Sequence, residues 1–295
     1  MKPIYVLFGV DMETDVGSFT PFYEGTKHGT PRLVELFAKR GVKGTFFFTG
    51  ECARENPEVA KMVADSGNEV GCHSLYHETI GDELFPIPGV KPLLAHEVKP
   101  RLALCKQWVS EAAGVVPTSF RCPRLWGSTA VVNALEELGF TCDVTYPMYF
   151  YREQFSPYHP SRSDWTKKGE SSVLEVPNFA DMVMQSKDPG LERDRDQWPL
   201  FRTEGGEYML GRVREFLEFC NQKAIPRVLA FYIHPWEFWP MEKTYHFGEA
   251  TVIPDEFITR DCGDKALNAL DTLICGLGDM HAEFVTAGML ANIFS

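Results

Sequence analysis

Short, almost wholly apolar runs alternate along this chain with longer amphipathic stretches, and capping or breaking residues mark the changes. Ile4–Val10 is the first apolar run and reads as a strand. Thr30-Pro31 then offers an N-cap and a proline at the first helical position, and Leu33, Val34, Leu36 and Phe37 supply an apolar face that Gly41 ends. Thr45–Phe48 predicts a second strand, Asn56-Pro57 opens a helix that closes at Gly67, and Glu69–Cys72 predicts a third strand. The rhythm repeats with a helix over roughly Leu94–Ala113, a strand near Ser119–Arg121, a helix capped by Ser128 and stopped by Gly139, and a strand at Thr141–Val144. Strand Val173–Val176, helix Gly211–Lys223, strand Arg227–Ile233, helix Ala266–Leu277, strand Ala282–Val285 and a terminal helix complete it. This succession predicts an α/β fold, a distorted (β/α) barrel of roughly seven to eight parallel strands rather than an open doubly wound sheet.

Two stretches break the rhythm, near 146–210 and 238–264, and both are rich in aromatic residues. Long loops in compact domains are more often functional than idle. There is no internal repeat, low-complexity tract or linker, so one catalytic domain over 1–295 is expected, with these stretches as loop insertions.

A net charge of -12 argues against nucleic acid or an anionic membrane as partner, and no run is apolar enough to insert in a bilayer. Eight cysteines are scattered without C-x-x-C spacing, which excludes a zinc ribbon or thioredoxin-like redox motif. Met1-Lys2-Pro3 leads straight into the first strand with no cleavable leader, so a reducing cytoplasm is the expected location. A small-molecule or carbohydrate substrate fits this balance, and a homo-oligomer is left open.

The candidate chemistry sits where strands end. His73 and His77, four residues apart, follow the Glu69–Cys72 strand, and the acidic run Asp11-Met-Glu13-Thr-Asp15 follows the first. Two imidazoles and a carboxylate are a common ligand set for catalytic zinc, with a further position open to water. Arg121, Asp143 and His234 fall at other strand ends, and active sites of β/α barrels gather at that rim. Cys72 and Cys122 flank the set but lack an evident base partner, which argues against a thiol nucleophile.

These residues bring a family into view. Gly9-Val-Asp11-Met-Glu13, Gly41-Val-Lys-Gly-Thr-Phe-Phe-Phe48, Gly67-Asn-Glu-Val-Gly-Cys-His73-Ser-Leu-Tyr-His77, Phe120-Arg121-Cys-Pro123, Ile233-His234-Pro-Trp236-Glu237 and Phe284-Val-Thr-Ala-Gly288 are separated motifs spanning most of the chain. The chain resembles the polysaccharide deacetylases of carbohydrate esterase family 4, including their cytoplasmic relatives without signal peptides. The resemblance implies metal-dependent removal of an N-acetyl or similar small N-acyl group from an amino-sugar-containing substrate. It further implies Asp11 as general base, Arg121 as the residue that orients it and His234 as general acid. Glu13, His73 and His77 would be ligands to one divalent ion, zinc by default, with cobalt, nickel, manganese or iron able to occupy the same mixed N/O set.

The chain also departs from the family. Asp11-Met-Glu13 stands where many members have adjacent aspartates, which leaves Asp15 in competition with Glu13 as ligand. Arg124 replaces the aromatic residue often found after the proline of the arginine motif, and hints at an anionic substrate group. Trp236 is a candidate wall of the acyl pocket and Asp143 a candidate partner for His234. Two rival readings stand beside the deacetylase: a metal-independent, allantoinase-like hydrolase of a small cyclic amide, and a non-catalytic carbohydrate-binding protein on the same scaffold.

Overall fold

The computed structural model describes residues 2–87, 89–188 and 190–295. Its strands are β1 (Ile4–Met12), β2 (Thr45–Phe48), β3 (Glu69–Cys72), β4 (Ser119–Phe120), β5 (Cys142–Asp143), β6 (Leu174–Glu175), β7 (Arg227–Ile233), β8 (Tyr245–Phe247), β9 (Ala250–Val252) and β10 (Ala282–Phe284). One sheet runs β10-β1-β2-β3-β4-β5-β6, with β7 paired along β1, and every pairing in it is parallel. The sheet curls into a distorted barrel. Between β6 and β7 it is nearly open, spanned by the isolated Asn178–Ala230 bridge and the 2.8 Å bond from Phe179 N–H to Ala230 O.

Strand alternation separates two cores. Leu7, Phe47, Val144, Leu174, Val176 and Ala230 fill the barrel, whereas Val6, Phe8, Val10, Phe46 and Phe48 pack outward against helices. Burial on both faces explains why these strands read as unbroken apolar runs rather than as alternating ones. The covering helices include Thr30–Arg40, Pro57–Asp65, Ala95–Ala113, Thr129–Glu137, Gly206–Gln222 and Asp264–Asp279. Gly41 ends the first of these in the left-handed conformation (φ 66°), and Ser128 Oγ accepts from Val131 N–H at 3.2 Å as its N-cap. Among the described residues no helix is long and apolar enough to cross a membrane.

The structure corrects several sequence expectations. Thr30 is not an N-cap but already helical, because a π-helical turn over Gly25–Gly29 runs straight into it. The 238–264 stretch holds an unforeseen antiparallel hairpin, β8–β9. The proposed pairing of Asp143 with His234 does not form. Asp143 lies on the outer face of the sheet, opposite Glu175 in the β5–β6 register, where Thr145 Oγ1 donates to its Oδ1. Glu175 Oε1 takes the backbone N–H groups of Thr145 (3.0 Å) and Tyr146 (2.7 Å).

Burial pushes the Asp143 carboxyl up to about 7, and burial with the facing Asp143 raises Glu175 as well. A carboxyl near 4 in the unfolded chain gives up its proton earlier than this one does. The pair's contribution is therefore greatest below about pH 4 and is lost as pH rises toward about 7. Asp143→Asn replaces one of the two facing carboxyls by a neutral amide that cannot ionise. The variant is expected to melt a few degrees above wild type at about pH 8 and to show a flatter stability profile below that pH. Thermal melts across this range check it; a variant melting lower than wild type at the alkaline end would refute the strain.

Candidate functional site

Six of the residues singled out in the sequence meet at the C-terminal rim of the barrel. Asp11 closes β1 and Glu13 follows it; His73 and His77 follow β3, Arg121 follows β4 and His234 follows β7. All are buried. Asp11, Glu13, His73, His77 and His234 line one cavity of about 280 Å³, and Arg121 lies beneath it.

Glu13, His73 and His77 can hold one ion, their candidate ligand atoms lying within 4.8 Å of one another. Nε2 of His77 and Nε2 of His73 lie 2.5 and 3.6 Å from Glu13 Oε2. That oxygen is fully buried, yet no well-aligned hydrogen bond reaches it. His73 Nδ1 is paired with Arg121 O at 2.8 Å, which fixes the ring and turns Nε2 toward the carboxylate. His77 takes a left-handed backbone (φ 57°) to bring its imidazole round. Burial would raise the Glu13 carboxyl, but His77, His73 and His234 around it hold it well below the usual carboxylate range. Burial lowers the His77 imidazole against the pull of Glu13, favouring the neutral form that ligation needs. An ionised carboxylate and two buried imidazoles fit a divalent ion.

Asp15 does not join them. Its two oxygens accept the backbone N–H groups of Glu24 and Gly25, both at 2.9 Å, so it braces the loop after β1 instead. Of the two competing carboxylates, Glu13 is the one beside the histidines.

Arg121 is fully buried and spends its donors inside the barrel. Nη1 reaches Asp11 Oδ1 at 2.7 Å, Nε reaches Val144 O at 2.9 Å, and Nη2 reaches Asn178 Oδ1 at 3.3 Å. The guanidinium stacks over Phe47 at 4.7 Å.

His234 has an acidic partner that the sequence reading left unassigned. Its backbone N–H and its Nδ1 both meet Glu237 Oε1, at 2.9 and 3.0 Å, in a reciprocal cap of the short turn Pro235–Phe238. Glu237 also accepts from Trp198 Nε1 at 3.0 Å and Arg202 Nε at 2.9 Å. Burial opposes charge on His234, but the bond to Glu237 and the nearby Glu13 and Asp11 raise it above its ordinary value. Its Nε2 lies 3.9 Å from Glu13 Oε1. The i, i+3 spacing of His234 and Glu237 at a strand end was the signal available in the sequence.

Arg124 lines the cavity and donates from Nη1 to His77 O (3.2 Å) and Thr79 Oγ1 (3.4 Å). Trp236 lies behind His234 rather than on the cavity wall, its ring stacked on the imidazole at 5.0 Å. The walls come instead from the two insertions, with Tyr149, Asp196 and Trp198 from the first and Phe257 and Ile258 from the second, and from the loops after β1 and β3, with Phe19, Phe85 and Ile87. Arg202 ties these insertions together, donating to Ile258 O at 2.8 Å and to Arg260 O as well as to Glu237.

Gly9 is a further residue with no sequence signal of its own. A methyl group there would lie 2.4 Å from both Nη atoms of Arg121. Gly9→Ala is expected to push the guanidinium off Asp11 and cost roughly 1–3 kcal/mol, a typical overpacking penalty. Denaturant unfolding of the variant checks this; a stability within about 0.5 kcal/mol of wild type would show that Arg121 has room to shift.

A polysaccharide deacetylase family model matches residues 16–142, a span that includes His73, His77 and Arg121 but not Asp11, Glu13 or His234. A peptidoglycan deacetylase of Helicobacter pylori is 27% identical over 180 residues, 56% of this chain and 56% of that one. A peptidoglycan-N-acetylmuramic acid deacetylase of Bacillus subtilis is 27% identical over 124 residues, 41% of this chain and 43% of that one. The chain thus spans about half the length of the curated relatives it matches. In fold it is similar to the crystal structure of a polysaccharide deacetylase-like protein of Mycobacterium smegmatis, with a TM-score of 0.63 at 18% identity over 99% of this chain and 90% of that one. Over the matched segment the chain is thus similar to polysaccharide deacetylases, and it shares the fold of one over nearly its whole length.

Proposed function

We propose that this chain is a metal-dependent amidohydrolase that removes an N-acetyl or similar small N-acyl group from an amino-sugar-containing substrate. The observation that carries the reading is the meeting, in one cavity, of a Glu13–His73–His77 cluster, an Arg121-held Asp11 and a Glu237-backed His234. The peptidoglycan deacetylases among its relatives suggest the amino sugar.

A divalent ion held by Glu13, His73 and His77, zinc by default, supplies Lewis acidity toward water and an amide carbonyl. Asp11 gives Oδ1 to Arg121 and leaves its other oxygen free of protein donors among the described residues, so it can accept a proton from the attacking water. Arg121 holds that carboxylate to the barrel wall. His234, its Nδ1 pinned by Glu237, presents Nε2 toward the same site and can protonate the departing amine. The two groups face opposite tasks: Arg121 positions Asp11, and Glu237 favours the protonated His234 that proton donation starts from.

The test is elemental analysis followed by acyl release. Purified protein is expected to carry about one divalent ion per chain, and His73→Ala/His77→Ala none. Loaded protein is expected to release acetate from N-acetylated amino sugars, with Asp11→Asn slower by about 10²–10⁴. Release that persists after the ion is stripped would favour the metal-independent hydrolase of a cyclic amide. Sugar binding without turnover in any metal would favour the silent binder.

A further inference from the structure

Two guanidinium groups face the cavity without a carboxylate among the described residues. Arg124, half-buried, has only the neutral acceptors His77 O and Thr79 Oγ1. Glu13 is an opposing charge within electrostatic reach, but the bonds themselves go to neutral groups, and a desolvated cation without a paired anion is costly. Arg193 stands at the cavity mouth, where the main cavity adjoins a second one of about 370 Å³ and shares its lining with it. Its guanidinium lies over the Phe85 ring at 5.2 Å and makes no side-chain hydrogen bond or ion pair among the described residues.

The acids nearest to it in the chain are already engaged. Glu192 pairs with Arg152 and Arg195, and Asp194 accepts from Ser186 Oγ and Lys187 N–H. Asp196, on the cavity wall, accepts from the Tyr232 hydroxyl, and burial pushes its carboxyl up to about 6. Deeper in the cavity, Asp11 is matched by Arg121, and Glu13 belongs to the metal cluster. The chain carries a net charge of -12, yet two arginines without an ion pair among the described residues line its cavity, with Asp196 within electrostatic reach of Arg193. An unpaired guanidinium at a cavity mouth attracts anions from solution.

We infer that Arg193 is a specificity-determining residue: it binds an anionic group, a carboxylate or a phosphate, carried by the substrate beyond its scissile amide. Phe85 supports the guanidinium from below, and Arg124 adds positive potential on the inner side. The bidentate fork of arginine suits either anion. This rests on the amidohydrolase reading only for the identity of the scissile group.

The experiment is calorimetric binding to metal-loaded protein of three probes: N-acetylglucosamine, its 1-phosphate, and N-acetylmuramic acid as the carboxylate. At least one anion is expected to bind about tenfold or more tighter than the neutral sugar, since a hydrogen bond to a charged group is worth at least that factor. The tighter of the two names the anion. Arg193→Ala is expected to remove most of the preference, Arg193→Lys to retain part of it, and added salt to weaken it, because the mouth is exposed. Binding of neither anion, equal binding of all three probes, or a preference that survives in Arg193→Ala overturns the assignment. Acetate release, followed in parallel, keeps the two readings apart. Anion preference without release removes the hydrolase and leaves Arg193 its role; release without preference does the reverse.

Discussion

The Arg121 guanidinium, wholly buried inside a parallel barrel, is the interaction on which the rest of this architecture depends. A charge in such a place is stable only when its donors are satisfied and an opposite charge is close. Asp11 provides the charge, while Val144 O, Asn178 Oδ1 and the Phe47 ring take up the remaining faces. These partners come from β1, from the chain leaving β5, from the chain leaving β6 and from β2. The residue therefore braces the barrel near its open seam, where Asn178 also bridges to Ala230 of β7. Its backbone carbonyl fixes the His73 ring, so one residue links seam, carboxylate and metal cluster. Gly9 is the counterpart of this arrangement, since a side chain on β1 at that point would occupy the guanidinium's place.

Much of this was legible in the sequence, for physical reasons. Parallel strands buried on both faces leave continuous apolar runs, and Ile4–Met12, Thr45–Phe48 and Arg227–Ile233 are such runs. The connection rule of β/α barrels then places whatever follows each strand on one rim, so Glu13, His73, Arg121 and His234 could be gathered without coordinates. Partnerships between distant segments were not legible. Asn178 meets Arg121 from 57 positions away, and only the folded barrel shows it. Asp143 illustrates the opposite error: a strand-end acid was read as facing the rim, but it alternates with Cys142 and Val144 of the barrel interior and so points outward, beside Glu175. The first helix was misread at its start for a local reason. Thr30-Pro31 has the pattern of a cap, yet the preceding glycines allow a wider turn that packs directly on the turn after β7, with Gly25 against Trp236 and Gly29 against Pro235.

The two insertions enclose the cavity and also complete the support of His234. Trp198 and Arg202 come from the first and converge on Glu237, while Arg202 also holds the carbonyls of Ile258 and Arg260 in the second. A change in how either insertion packs would thus be felt at Glu237 and, through the edge-to-face contact of Trp198, at the imidazole itself. In a barrel whose strands supply the reactive groups, loops set both what enters and how one of those groups is poised.

Two histidines in this one cavity are driven in opposite directions, and the cause is what stands behind each ring. His77 and His234 are both buried, and both feel Glu13. Among the described residues His77 has no hydrogen-bond partner at Nδ1, so burial prevails and the ring is lowered toward its neutral form. His234 has Glu237 at Nδ1, and that carboxylate turns the balance the other way. Glu237 can do so because Arg202 and Trp198 keep it satisfied while buried. Ligation asks an imidazole for a free lone pair, and proton donation asks it for the opposite. Residue type alone cannot separate those duties. Here the separation follows from one carboxylate, three residues along a tight turn, placed behind one ring and not the other.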